Sequence, residues 1–483
     1  MTTATVVGSG PNGLAAAITL ARRGIDVTVL EASTTVGGGL RSAESTLPGL
    51  MHDECAAFHP MAVGSPFLKT IDLAKHAVRW LLPEIDCAHP LDGDRAGLLH
   101  RSIDRTAAGL GTDGRTWSAL FGGPAAGFDQ LSDDIMGPLL RVPKHPVRLA
   151  RFGAPTVLPA AALAKALRTP QGRGLWGGAA VHTFRPLEHP LTSAIGLGIV
   201  TAGHRHGWPV VEGGTGRLAD ALVAELLALG GTIETDQRIT SAEQLPRTDI
   251  TMFDLAPTAV SEILGNQLPA RISRSLRRFR YGPGAFKIDL AVQDGVPWSD
   301  PEVGRAGTVH LGGGFDELAA GERMIARGVL PERPFVLLGQ QYLADPSRSM
   351  GNVHPVYAYA HVPHGFSGDA TEAIIDQIER FAPGVRDRIL GIAVRSTTEL
   401  SRYNANYVGG DICTGSKDMV QLVFGPRITL SPYTLGAGRY ICSAATPPGP
   451  GAHGMCGANA AELAIRELEG ARVRISGRSA AGH

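Results

Sequence analysis

The chain has 483 residues, 43% of them hydrophobic and 19% charged, and its 45 basic and 45 acidic residues give a formal net charge of zero. That length exceeds one ordinary core and predicts two domains, and the composition excludes a disordered chain. Without a surplus of Lys and Arg, nucleic acid is not an expected partner.

The 62 glycines suit an α/β protein whose loops hug a cofactor, where backbone without a Cβ is needed. Five cysteines (Cys55, Cys87, Cys413, Cys442 and Cys456) form no C-x-x-C pair and no zinc spacing. No disulfide and no metal site is therefore expected, and a reducing, cytoplasmic compartment is inferred. The first strand begins almost at Met1, which leaves no room for a leader peptide. No apolar run reaches the ~18 residues that would span a bilayer. Peripheral membrane contact and a homodimer stay open.

In chain order, Ala4 to Val7 is a short apolar run ending at Gly8-Ser9-Gly10-Pro11-Asn12-Gly13. A helix over Leu14 to Arg23 follows, stopped by Gly24, and Ile25 to Leu30 is a second buried strand. Together they make a βαβ unit. Residues 75–205 mix helices and short strands; within them Pro146 to Leu167 is rich in Ala and Leu, lacks acidic residues, and reads as a packed helix, a lid or a membrane-facing helix.

A second α–β signature comprises Gly213-Gly214-Thr215-Gly216, a helix over Arg217 to Leu229, and the strands Thr232 to Glu234 and Asp249 to Leu255. Residues 266–430 again mix elements, including strands at Lys287 to Val292 and Val356 to His361. The C-terminus holds the strand Arg439 to Ser443, a Gly/Pro loop, a helix over Gly457 to Glu469, and a polar tail after Arg474. The expected plan is a discontinuous cofactor domain (1–74, 206–265 and 431–483) and a discontinuous α+β substrate or lid domain (75–205 and 266–430).

The spacing Gly8-x-Gly10-x-x-Gly13 sits directly after a strand and opens a helix. Gly8 permits the tight turn, Gly10 the close approach of a pyrophosphate, and Gly13 close packing of helix on strand. Glu31, at the end of the second strand, is placed to accept hydrogen bonds from a ribose. A second glycine cluster, Val36-Gly37-Gly38-Gly39-Leu40-Arg41, follows within a few residues. Its backbone can meet the same pyrophosphate, with Arg41 supplying positive charge.

This double-glycine arrangement resembles the flavoprotein superfamily of amine oxidases and carotenoid desaturases, and FAD as cofactor follows from that resemblance. The segments Cys55-Ala56-Ala57-Phe58-His59-Pro60, Phe286-Lys287-Ile288-Asp289, Asn406-Tyr407-Val408-Gly409-Gly410-Asp411 and Thr446 to Gly457 narrow it. They look like the phytoene-dehydrogenase-like subgroup related to pyridine nucleotide-disulfide oxidoreductase domain-containing protein 2. The resemblance implies a Rossmann-type FAD-binding domain, with Pro11, Asn12 and Ile239 completing the cofactor-contacting set. It places the amides of His453, Gly454 and Met455 at the flavin ring, where a helix N-terminus stabilises negative charge.

The catalytic candidates are His453, Lys287 and His59, each with a plainer reading. His453 could fix its loop, His59 could be structural, and Lys287 could pair with Asp289 on the same strand face. His182, His189, His204, His206, His361 and His364 show no metal spacing. Disulfide reduction is disfavoured, because no cysteine pair is present. The leading expectation is FAD-dependent desaturation or isomerisation of an apolar, isoprenoid-like molecule. Amine oxidation is one alternative, with Tyr433, Tyr407 or Trp208 as cage candidates. A flavin protein acting through a protein partner is the other.

Overall fold

A computed structural model describes residues 1–436 and 438–480 of the chain. The opening apolar run forms the strand Thr3–Val7, and the chain then enters the helix Pro11–Ala21. Pro11 suits this start, since its fixed φ is already helical and its missing N–H would have no partner there. Gly24, at φ +70°, turns the chain into the strand Asp26–Leu30.

These two strands belong to a six-stranded sheet in the order Thr434–Gly436, Arg439–Ile441, Ile250–Phe253, Thr3–Val7, Asp26–Leu30, Thr232–Glu234. Every neighbour pair is parallel except the first. The chain leaves Thr3–Val7 toward Asp26–Leu30 on one side and returns as Ile250–Phe253 on the other. In such a sheet a crevice opens at the carboxyl ends of the strands where the order reverses.

A second sheet has seven strands: Ile389–Arg395, Gly284–Gln293, Val353–Val362, Val336–Gly339, Ala306–Leu311, Ile85–Leu91 and Asp94–Leu99. It is antiparallel except between Ala306–Leu311 and Ile85–Leu91. Period-two alternation decides what each face meets. Val356, Ala358, Ala360 and Val362 pack with Ile374, Ile375 and Ile378 of the helix Thr371–Phe381. Tyr357 and Tyr359 turn the other way, into a cluster with Trp117, Trp176 and Trp208.

The stretch Pro146 to Leu167 is not one packed helix. It forms Pro146–Thr156 and Ala160–Ala164, parted at Leu158-Pro159, because Pro159 removes an amide donor and disfavours helix before it. The last helix, expected from Gly457, starts two residues earlier and runs Met455–Ala480. It carries the backbone of the polar tail as far as Ala480; residues 481–483 of that tail lie outside the described residues.

Two contacts lock the parts together. Arg348 is fully buried and its guanidinium donates to Asp53 (2.6 Å), Asp345 (3.1 Å) and the Val211 carbonyl (2.6 Å). Two carboxylates and a carbonyl around one cation satisfy a charge that would otherwise be costly to bury. The second contact is between the first and last helices, where a Cβ on Gly457 would stand 1.8 Å from the Asn12 carbonyl oxygen. Gly457→Ala is therefore expected to overpack this seam and lower stability by ~1–3 kcal/mol, read as a lower urea midpoint at unchanged m-value.

Candidate functional site

A cavity of ≈ 290 Å³ lies at the carboxyl ends of the parallel strands. Of the residues expected at the cofactor, Gly8, Gly10, Pro11, Asn12, Glu31, Gly38, Gly39, Arg41 and Ile239 line it. The glycines are required by space. A Cβ on Gly10 would sit 2.6 Å from an Asp254 carboxylate oxygen, and one on Gly13 would sit 2.0 Å from the Gly8 carbonyl oxygen. A Cβ on Gly38 would press on the Gly10 Cα at 3.0 Å, so the two glycine clusters face each other across the same loop.

The group implied by this fold fits the residues present. The N-cap Gly10 has no side chain to bond the first turn of the helix Pro11–Ala21, and of that turn's amides that of Gly13 is taken by Asp254 while that of Asn12 faces the cleft lining. Asn12 Oδ1 and Ser443 Oγ are buried on the cavity lining without a partner. Such orphaned polar atoms are what a polar cofactor would satisfy.

Glu31 is held firmly. One oxygen accepts from the Ser9 amide (2.9 Å) and hydroxyl (2.5 Å), and the other from the Ser33 amide (2.8 Å). Arg41 donates to the same carboxylate at 3.4 Å and to the Thr35 and Val36 carbonyls, with its guanidinium 5.3 Å over the Tyr403 ring. Asp254 is a lining residue that sequence reasoning missed, although an acid directly after the strand Ile250–Phe253 was a legible signal. It accepts from the Gly13 amide at 2.9 Å. Burial, with Glu31 nearby, pushes its carboxyl up to about 7 against the opposing pull of that amide.

Gly454 and Met455 lie behind the lining rather than on it. The Met455 amide donates to His453 Nδ1 at 3.1 Å, and a Cβ on Gly454 would meet Phe67 and Ala15. The expected row of free amides is thus reduced, because the histidine beside it takes the Met455 donor.

A second cavity of ≈ 520 Å³ adjoins the first, and Cys55, Ala56, Ile412, Pro450, Gly451 and Ala452 line both. His59 and His453 lie on its wall. His59 Nε2 is 3.0 Å from Thr215 Oγ1 while Nδ1 is buried without a partner, and burial lowers its pKa to about 4. His453 is also lowered to about 4 by burial, with hydrogen bonds to the Gly449 and Pro450 backbone pulling the other way. Its Nδ1 accepts from the Met455 amide and its ring bonds the backbone at Pro450 and Gly449, so it fixes the loop.

Lys287 does not reach either lining. Its ammonium pairs with Asp289 and stands 4.6 Å from the Tyr357 ring centroid, so the tyrosine lies between it and the chamber. Asp289 also faces His52 Nδ1 at 3.4 Å. Tyr357 and Tyr359 are chamber residues that the sequence reading passed over, although the period-two run Tyr357-Ala358-Tyr359-Ala360 announced them. Their rings are 6.0 Å apart at 89°. Of the expected cage aromatics, Trp208 lines the chamber, Tyr407 lines the dinucleotide cleft, and Tyr433 is buried in the core and donates to the Pro447 carbonyl. His182 also lines the chamber, its Nε2 3.1 Å from His310 Nε2.

Cys55 and Cys413 both line the chamber as free thiols. Burial raises the pKa of each, Cys413 to about 12, which keeps them protonated and poor nucleophiles.

Residues 6–69 match the family of NAD(P)-binding Rossmann-like domains. Across 96% of the chain, the protein is 23% identical to pyridine nucleotide-disulfide oxidoreductase domain-containing protein 2 of Rattus norvegicus, covering 94% of that relative. Among solved structures it is similar to an oxidoreductase from Methanosarcina mazei (TM-score 0.62, 16% identity, 97% of this chain and 100% of that one). It is also similar to cyclohexylamine oxidase from Brevibacterium oxydans (TM-score 0.57, 14% identity, 97% and 99%). The fold is thus that of Rossmann-like, FAD-type oxidoreductases.

His453 gives a pH test. Its pKa is about 4 when folded against 6.5 for the free side chain, so the unfolded chain takes the proton first as pH falls. Its stabilising share is present above pH 6.5 and is lost toward pH 4. The difference in melting temperature between wild type and His453→Asn is expected to narrow over that window.

Proposed function

We propose that the protein is an FAD-dependent oxidoreductase that desaturates or isomerises an apolar small molecule. The observation that carries this reading is the continuity of the dinucleotide cleft with a ≈ 520 Å³ chamber lined by no Asp, Glu, Lys or Arg among the described residues. Bound FAD supplies a hydride acceptor at N5. The protein's own work is to hold that group, orient the substrate and keep water out.

In this reading Gly8, Gly10, Gly38 and Gly39 give the pyrophosphate its backbone cradle, the Ser443 hydroxyl can donate to the cofactor, and Asn12 Oδ1 accepts from one of its hydroxyl or N–H groups. Glu31 takes the ribose. Asp254, its carboxyl raised to about 7, carries only part of a charge near neutral pH and so repels the phosphates less than an ordinary carboxylate would. His59 and His182 are the imidazoles that can take a proton. Both are neutral at pH 7, since burial lowers them to about 4 and about 3. A proton taken by His182 can be shared with His310 across the 3.1 Å contact. His453 holds the loop over the cleft junction, and Lys287 braces Tyr357 from behind.

Amine oxidation is the second reading, favoured by the perpendicular Tyr357–Tyr359 pair and the likeness to cyclohexylamine oxidase. Two features weigh against it. The chamber offers an ammonium no carboxylate, and Lys287 already sits over the Tyr357 face.

The purified protein is expected to show a flavin absorption spectrum that apolar polyenes or sterols bleach anaerobically and amines do not. Bleaching by amines alone would transfer the assignment to the second reading, and a protein that cannot be loaded with FAD would overturn both. His59→Gln is expected to retain flavin and slow that bleaching by ~10²-fold. Gly10→Ala is expected to lose flavin.

A further inference from the structure

Two stretches far apart in sequence help to wall the apolar chamber. Leu139, Leu149 and Phe152 come from one, and Leu422 and Val423 from the other. The same stretches also turn large apolar side chains outward. Val142 is 93% exposed, Val147 63%, Ile428 65% and Leu430 77%. Scattered exposed apolar residues are ordinary, but these sit on the two stretches whose neighbouring residues wall one cavity, which brings them to one side of the chamber and marks an interaction surface.

Charge on this region is one-sided. Residues 135–187 contain eight Lys or Arg and no Asp or Glu, in a chain whose overall charge is zero. Arg141, Lys144, Arg148 and Arg151 are exposed among the apolar side chains; Lys144 lies 3.7 Å from the Asp133 carboxylate, and Arg141 donates to the Asp133 and Asp134 backbone carbonyls. Apolar side chains that insert, with cations beside them that meet phosphate headgroups, are the makeup of a one-sided membrane contact. No helix among the described residues is long and apolar enough to cross a membrane, so the contact does not span.

We infer that this face docks on an anionic lipid surface and admits substrate to the chamber from the lipid. The charge pattern selects this occupant over a second copy of the chain. An isologous pair would bring the same cationic face against itself, whereas anionic headgroups neutralise it.

The test is flotation of the FAD-loaded protein with vesicles of phosphatidylcholine alone or mixed with phosphatidylglycerol. Wild type is expected to float with the mixed vesicles and to be released by salt. A triple variant, Val142→Asp, Val147→Asp and Leu430→Asp, is expected to bind at least about tenfold more weakly. All three positions are exposed, so a retained flavin spectrum reports an intact fold and separates this outcome from failure of the flavin assignment. The inference is overturned if wild type ignores both vesicles, if the triple variant floats equally well, or if neutral vesicles bind as strongly as anionic ones. It is also overturned if the triple variant turns a dimer into a monomer and leaves flotation unchanged.

Discussion

The arrangement depends on a helix packed so closely that at two of its contacts no side chain fits. At its start, Gly13 lies against the Gly8 carbonyl, and on its flank Gly457 lies against the Asn12 carbonyl. The first contact seats the helix on the strand Thr3–Val7 and leaves its N-terminus facing the crevice. The second draws the last helix alongside, and that helix carries the loop of residues 449–453 with it. The floor and one wall of the dinucleotide cleft are therefore set by one packing condition, and the chamber beyond inherits the wall.

Around this packing the polar groups divide by how their charge is handled. Arg348 is buried with two carboxylates and a carbonyl around its guanidinium. Asp254 and the chamber histidines stand where desolvation outweighs their partners, so they favour the neutral form. A chamber walled by neutral imidazoles, protonated thiols and phenols suits uncharged molecules, while the cleft beside it presents amides and small polar groups suited to a phosphate. One cavity system thus offers two solvents.

What the sequence made legible was local. The glycines at 8, 10 and 13 answer backbone demands written within six residues, and Glu31 follows from the length of one βαβ unit. The strands Lys287 to Val292 and Val356 to His361 were found but are longer, Gly284–Gln293 and Val353–Val362, since sheet pairing extends edges that hydropathy alone marks weakly. The pairing of Lys287 with Asp289 could be read from alternation. That Tyr357 would screen it could not, because the screen depends on the register that sets Lys287 opposite Tyr359 and Asp289 opposite Tyr357. His182 and Cys413 reach the chamber through contacts across hundreds of residues, for which no spacing rule exists. Gly454 and Met455 stand behind the cleft lining, and the hydrogen bond from the Met455 amide to His453 is a local contact that no spacing rule announces.

The cleft is lined by residues from Val7 to Ala452, and its loop is anchored by the helix that follows. A chain emerging from the ribosome presents the fingerprint well before the closing wall. A complete lining for the cofactor must therefore wait until Ala452 has been made. In the interval, the apolar faces that will become the chamber have no completed partner.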